Sequence, residues 1–144
     1  MFWKTTFTDV QKYLDKIPCI NQGGCGISAL SMYRWLKKNN QLKNTKFIFL
    51  YDEIYKFNKN RSILQHKKRG QPLPPEHAIL VHNKQFLDSS GKVDLKIYGK
   101  YKQTINNEAF IKKSIHSEGW NEAFDRKYIN KIEKKLKINL EDIK

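Results

Sequence analysis

Apolar positions along this chain fall into short periodic groups separated by polar breaks. Val10, Tyr13, Leu14 and Ile17 recur at helical intervals until Pro18, which predicts a short first helix with capping-box spacing at Thr8 to Gln11. A second helix is predicted from Ile27 to Lys38, with Ala29, Leu30, Tyr33 and Leu36 on one face, lysines at its carboxyl end and Asn39-Asn40 to stop it. Within residues 46–55, the unbroken run Phe47 to Tyr51 suits a buried strand or a helix continuing through Ile54 and Phe57, and the reading favours helix. Lys59 to Pro75, with Lys67-Lys68-Arg69-Gly70 and three prolines, reads as an extended surface loop. Strand patterns follow at His77 to His82, at Gln85 to Asp88 and in the alternation of Val93, Leu95 and Ile97, an antiparallel meander. After Gly99 the pattern turns helical, first around Ala109, Phe110 and Ile111. It then continues in a longer stripe of Phe124, Tyr128, Ile132, Leu136 and Leu140, spaced by four.

This order predicts an α+β fold in one domain spanning residues 1–144, a length that can bury one core. A composition 39% hydrophobic and 12% aromatic argues against a disordered chain. Met1-Phe2-Trp3-Lys4 leads into polar residues, so no signal peptide is expected, and no apolar stretch is long enough for a membrane span. A cytoplasmic protein is the expectation, and the size and composition suit a bacterial accessory or phage-encoded protein.

The net charge of +14 adds a second theme. Ten basic residues between Lys37 and Arg69 face only Asp52 and Glu53, a field able to attract nucleic acid, another polyanion or an acidic partner. Such lysines also populate ordinary solvated faces, and the interleaved Phe47, Phe49, Tyr51, Tyr55 and Phe57 fit core spacing better than base stacking. Neither Cys19 nor Cys25 stands in paired ligand spacing with His66, His77, His82 or His116, so no metal and no cofactor is expected.

The chemistry concentrates elsewhere. Gly23-Gly24-Cys25-Gly26 places a thiol at a helix start, where unpaired N–H groups and partial positive charge favour the thiolate. If Asn83-Lys84 is a two-residue hairpin turn, positions summing to 167 lie opposite each other. His77 and Asp88 then share a face as diagonal neighbours, and His82 lies on the other. An imidazole fixed by a carboxylate can accept the thiol proton. Taken singly, a buried cysteine, a strand histidine and the turn formers Asp88-Ser89-Ser90-Gly91 are ordinary structural residues; their joint order makes the catalytic combination.

Gln22-Gly23-Gly24-Cys25-Gly26-Ile27-Ser28-Ala29-Leu30, His77-Ala78-Ile79-Leu80-Val81 and Phe86-Leu87-Asp88-Ser89-Ser90-Gly91 together resemble the papain-like cysteine peptidases. The likeness is to their compact branch, with bacteriocin-leader peptidases and related cell-wall and phage proteins. The resemblance covers residues 19–38 and 75–91. It implies a nucleophile-bearing helix packed on a small antiparallel sheet, with further helices at the carboxyl end. Cys25 would be the nucleophile, His77 the general base and then acid, and Asp88 the group orienting the imidazole. The family's oxyanion glutamine stands about six positions before the cysteine; that position is Cys19 here, and Gln22, three before, is the candidate. A second register makes Cys25 a structural cysteine and sets Ser28 in the nucleophile's place, an inactive protein. The resemblance thus implies a cysteine peptidase or amidase-like thiol hydrolase working through a thioester on a peptide or acyl substrate. The alternatives are an inactive papain-like protein that binds nucleic acid or another polyanion, and an acyltransferase or deamidating effector using the same triad.

Overall fold

A computed structural model describes residues 4–51, 77–94, 101–105, 107–116 and 124–144. The first helix, α1 (Phe7–Asp15), starts two residues earlier than the sequence pattern suggests. Thr6 is its N-cap: the Thr6 hydroxyl accepts from the Asp9 N–H, and the Asp9 carboxylate accepts from the Thr6 N–H. Two overlapping capping-box spacings exist here, and the inner one fails because Gln11 turns inward and is buried. Helix α2 (Cys25–Lys38) begins at the cysteine itself and ends at Asn39.

Residues 46–55 were expected to be helical; instead Thr45–Tyr51 forms strand β1, and residues 52–55 lie outside the described residues. The physical reason is that both faces of β1 are covered. Phe47 and Phe49 face the helices, Ile48 and Leu50 face away, and all four are buried, so the period-two alternation that marks a strand is erased. Strands β2 (His77–His82) and β3 (Gln85–Asp88) have the expected bounds. Asn83 and Lys84, with φ of 49° and 67°, form the two-residue turn between them. The register is the expected one: Leu80 opposite Leu87, Val81 opposite Phe86, His82 opposite Gln85.

The next strand differs. β4 comprises only Gly91–Lys92, and of the alternating stretch Val93 to Tyr98 the portion from residue 95 lies outside the described residues, as does the loop expected at 59–75. Tyr101–Ile105, expected to be part of a helical region, is strand β5, paired antiparallel with β1. The sheet is antiparallel, in the order β4-β3-β2-β1-β5.

Helices α3 (Glu108–His116) and α4 (Tyr128–Leu136) follow, then a 3-10 turn, Glu141–Ile143. The apolar stripe expected as one long helix is all buried at Phe124, Ile132, Leu136 and Leu140, but the helix stops at Leu136 because Lys137 adopts the left-handed conformation. The four helices among the described residues contribute to one core with Phe47, Phe49, Ala78 and Leu80 of the sheet. The fold is therefore α+β, with α2 against one sheet face. Arg34 holds α2 in place: its guanidinium meets Asp142 through two bonds of 2.7 Å and Glu108 at 3.2 Å, tying α2 to α3 and to the final turn. That hydrogen bonding keeps the Asp142 carboxyl well below the usual carboxylate range.

Candidate active site

Cys25 is the first residue of α2, and the Gly24 before it makes no side-chain cap. The N–H groups of Cys25, Gly26 and Ile27 therefore have no intrahelical carbonyl, and the first turn holds no acidic residue to offset the positive helix end. Gly24 is required by space. A Cβ there would lie 2.8 Å from the Ile20 carbonyl oxygen and 2.8 Å from a Phe124 ring carbon. The loop that delivers the thiol is thus packed tightly against its own backbone and against the chain just before α4.

His77 opens β2, and its ring engages two partners. Nε2 lies 3.0 Å from the Asp88 carboxylate, and the Cys25 side chain stands close enough to the ring to raise its pKa. Asp88 closes β3, and its second carboxylate oxygen accepts from the Ser90 N–H at 2.8 Å and from the Ser90 hydroxyl. The Asp88-Ser89-Ser90-Gly91 segment is thus both an ordinary turn and the holder of a buried carboxylate. Cys25 is 5% exposed, His77 2% and Asp88 3%, so the three groups meet almost out of water.

Burial alone would pull the imidazole's pKa down. The hydrogen bonds to Asp88 and Cys25, and the charges of both, outweigh it and push His77 up to about 9. Burial would likewise raise the Asp88 carboxyl, but its bonds from His77 and from the Ser90 hydroxyl and N–H hold it below the usual carboxylate range. With the ring protonated, Nε2–H donates to Asp88 and the positive ring lies near the sulfur. The arrangement can hold a thiolate, imidazolium and carboxylate in a row, or return the proton to the sulfur.

The other residues singled out from the sequence lie elsewhere. Gln22 is exposed on the loop before α2, where its N–H donates to the Cys19 carbonyl. Ser28 lies one turn along α2 from Cys25, 1% exposed, and its buried hydroxyl has no hydrogen-bond partner among the described residues. Cys19 is an exposed free thiol, and Cys25 is also free. His82 sits apart, with Nδ1 2.7 Å from the Thr45 hydroxyl and its pKa lowered by burial. Of the basic stretch Lys37 to Arg69, the described lysines 37, 38, 43 and 46 are exposed, and the remainder lies outside the described residues.

Three polar residues at the site carried no sequence signal of their own role. Ser90 grips the carboxylate, and Gln11 and Asn21 reach the same turn from α1 and from the loop before α2. A cavity of about 630 Å³ opens beside Arg34, Lys37, Glu108 and Asp142, but Arg34 is nine residues from Cys25, roughly 14 Å along the helix. The carboxylates of Glu108 and Asp142 there are already paired with Arg34, Lys37 and Lys112. Among the described residues, no helix is long and apolar enough to cross a membrane. Comparison with protein-family models, curated proteins and solved structures finds no match.

Proposed function

We propose that the protein is a papain-like thiol hydrolase that cleaves an amide or related acyl bond through Cys25, His77 and Asp88. The observation that carries this reading is the buried imidazole, 3.0 Å from a carboxylate held by Ser90 and shifted upward by the helix-start thiol near it. In the proposed reaction the Cys25 sulfur adds to the carbonyl carbon, and the oxyanion forms where the unpaired N–H groups of the helix start can donate. Collapse of the adduct expels the leaving group, which takes its proton from the His77 imidazolium and leaves a thioester. Water, deprotonated by the neutral imidazole, resolves it and frees the sulfur. Replacement of water by another nucleophile would make the same site a transferase, and the geometry around Cys25 serves either step.

Alkylation tests the reading. Because Cys19 is exposed, the measurement belongs in a Cys19→Ser background, where iodoacetamide is expected to form one adduct, lost in Cys25→Ala. Burial slows a plain thiol, so alkylation at about pH 6 that is faster in the folded than in the urea-unfolded protein requires a stabilised thiolate. Folded protein reacting more slowly than unfolded would overturn the proposal. The second register has its own test. Ser28→Ala is expected to leave Cys25 alkylation unchanged and to stabilise the fold by up to about 1 kcal/mol in denaturant unfolding, since it removes an unpaired buried hydroxyl. Loss of reactivity in that variant would favour a working role for Ser28.

A further inference from the structure

Two buried or half-buried contacts at the turn after β3 are not needed for the proton transfers just described. Gln11, 8% exposed on α1, donates from Nε2 to the Asp88 main-chain carbonyl at 2.8 Å across 77 residues of sequence. One residue further on, the Ser89 hydroxyl accepts from the Asn21 side-chain amide at 2.9 Å and lies 3.3 Å from the Asp15 carboxylate. Asn21 stands four residues before Cys25, in the loop that carries the chain from α1 into α2. One continuous segment, α1 plus that loop, therefore delivers the thiol and also holds the turn that bears the carboxylate.

We infer that Gln11 is a positioning residue, aided by Asn21 and Ser89, which fixes the Asp88 carboxylate and through it the His77 ring relative to the Cys25 sulfur. The inference rests on the thiol-hydrolase reading above. A side-chain amide bonded to the main-chain carbonyl of residue 88 restrains the backbone from which the carboxylate projects, and second partners of this kind set the orientation of a working group. Without that donor the carbonyl loses this buried partner, and the turn loses its tie to α1.

The test uses the full chain in the Cys19→Ser background, with the His77 ring titrated by NMR and Cys25 alkylated by iodoacetamide. Gln11→Leu removes the donor while nearly keeping the volume. It is expected to lower the His77 midpoint from about 9 by about one unit or more and to slow alkylation at about pH 6 by roughly tenfold. Val10→Ala, at a fully buried neighbouring position on the same helix, should lower the melting temperature yet leave the midpoint in place. Gln11→Glu supplies a donor only while its carboxyl is protonated, so its alkylation rate relative to the parent should fall as that carboxyl ionises. If Gln11→Leu does not fold, Gln11→Glu carries the test by the same readout. A parental midpoint in Gln11→Leu, or an equal shift in Val10→Ala, overturns the positioning role while leaving the hydrolase reading intact. An ordinary His77 midpoint and an unreactive Cys25 in the parent overturn the hydrolase reading itself, and the positioning role with it.

Discussion

Asp88→Asn is expected to lower the His77 midpoint by more than one unit and to destabilise the fold by about 3–5 kcal/mol at pH 6, because it breaks a buried charged pair and keeps the burial. The asparagine retains the volume and one acceptor oxygen but not the charge that holds the proton on the ring. The sign with pH follows from the direction of each shift. His77 is raised from 6.5 to about 9, so the stabilisation from its proton is complete below pH 6.5 and is lost as pH rises through about 9. Asp88 is lowered from 3.8, so its contribution is complete above about pH 4 and is lost as acid protonates the folded carboxylate. The difference in unfolding free energy between parent and variant should therefore be largest from about pH 4 to 6.5 and shrink on either side. Urea unfolding at a series of pH values, with NMR of the ring, checks both parts. A His77 midpoint within a few tenths of a unit of the parent's would show that the carboxylate does not hold the proton.

Gly24→Ala is expected to destabilise the fold by about 1–3 kcal/mol and to remove the fast reaction of Cys25. The added methyl meets the Ile20 carbonyl oxygen at 2.8 Å and the Ile20 Cα at 3.0 Å, so the loop backbone must move, and Cys25 is the next residue. Phe124 cannot relieve the contact, because trimming its ring leaves the backbone clash in place. Gly91 gives a useful contrast: nothing lies within 4 Å of a Cβ there, and a substitution would cost through its φ of +111° instead. Thermal unfolding together with the alkylation rate reads both effects, and a Gly24→Ala protein with parental stability and reactivity would contradict this packing.

What the sequence made legible is local. The hairpin register could be computed from one two-residue gap, since the pleat fixes which residues share a face once the turn is chosen, and the His77 to Asp88 contact follows from it. The α2 boundaries were readable within two residues because glycine punctuation, an amphipathic stripe and a basic carboxyl end agree. β1 was not readable, because burial on both faces removes the alternation by which a strand is known. Gln11 was misread as a cap because its true partner lies across the fold, and no nearby residue announces a bond to a main-chain carbonyl at position 88. Ser90 hid in plain composition, since a turn rich in serine looks the same whether or not it holds a carboxylate.

The parts of the proposed site come from α1, the start of α2 and the far hairpin, and the bond from Gln11 to Asp88 spans 77 positions. During synthesis the sulfur at position 25 thus leaves the ribosome well before the imidazole and carboxylate that would arm it. Until the second hairpin strand has been made and paired, the nascent chain carries only an ordinary thiol, so reactivity at that sulfur would report completed long-range folding.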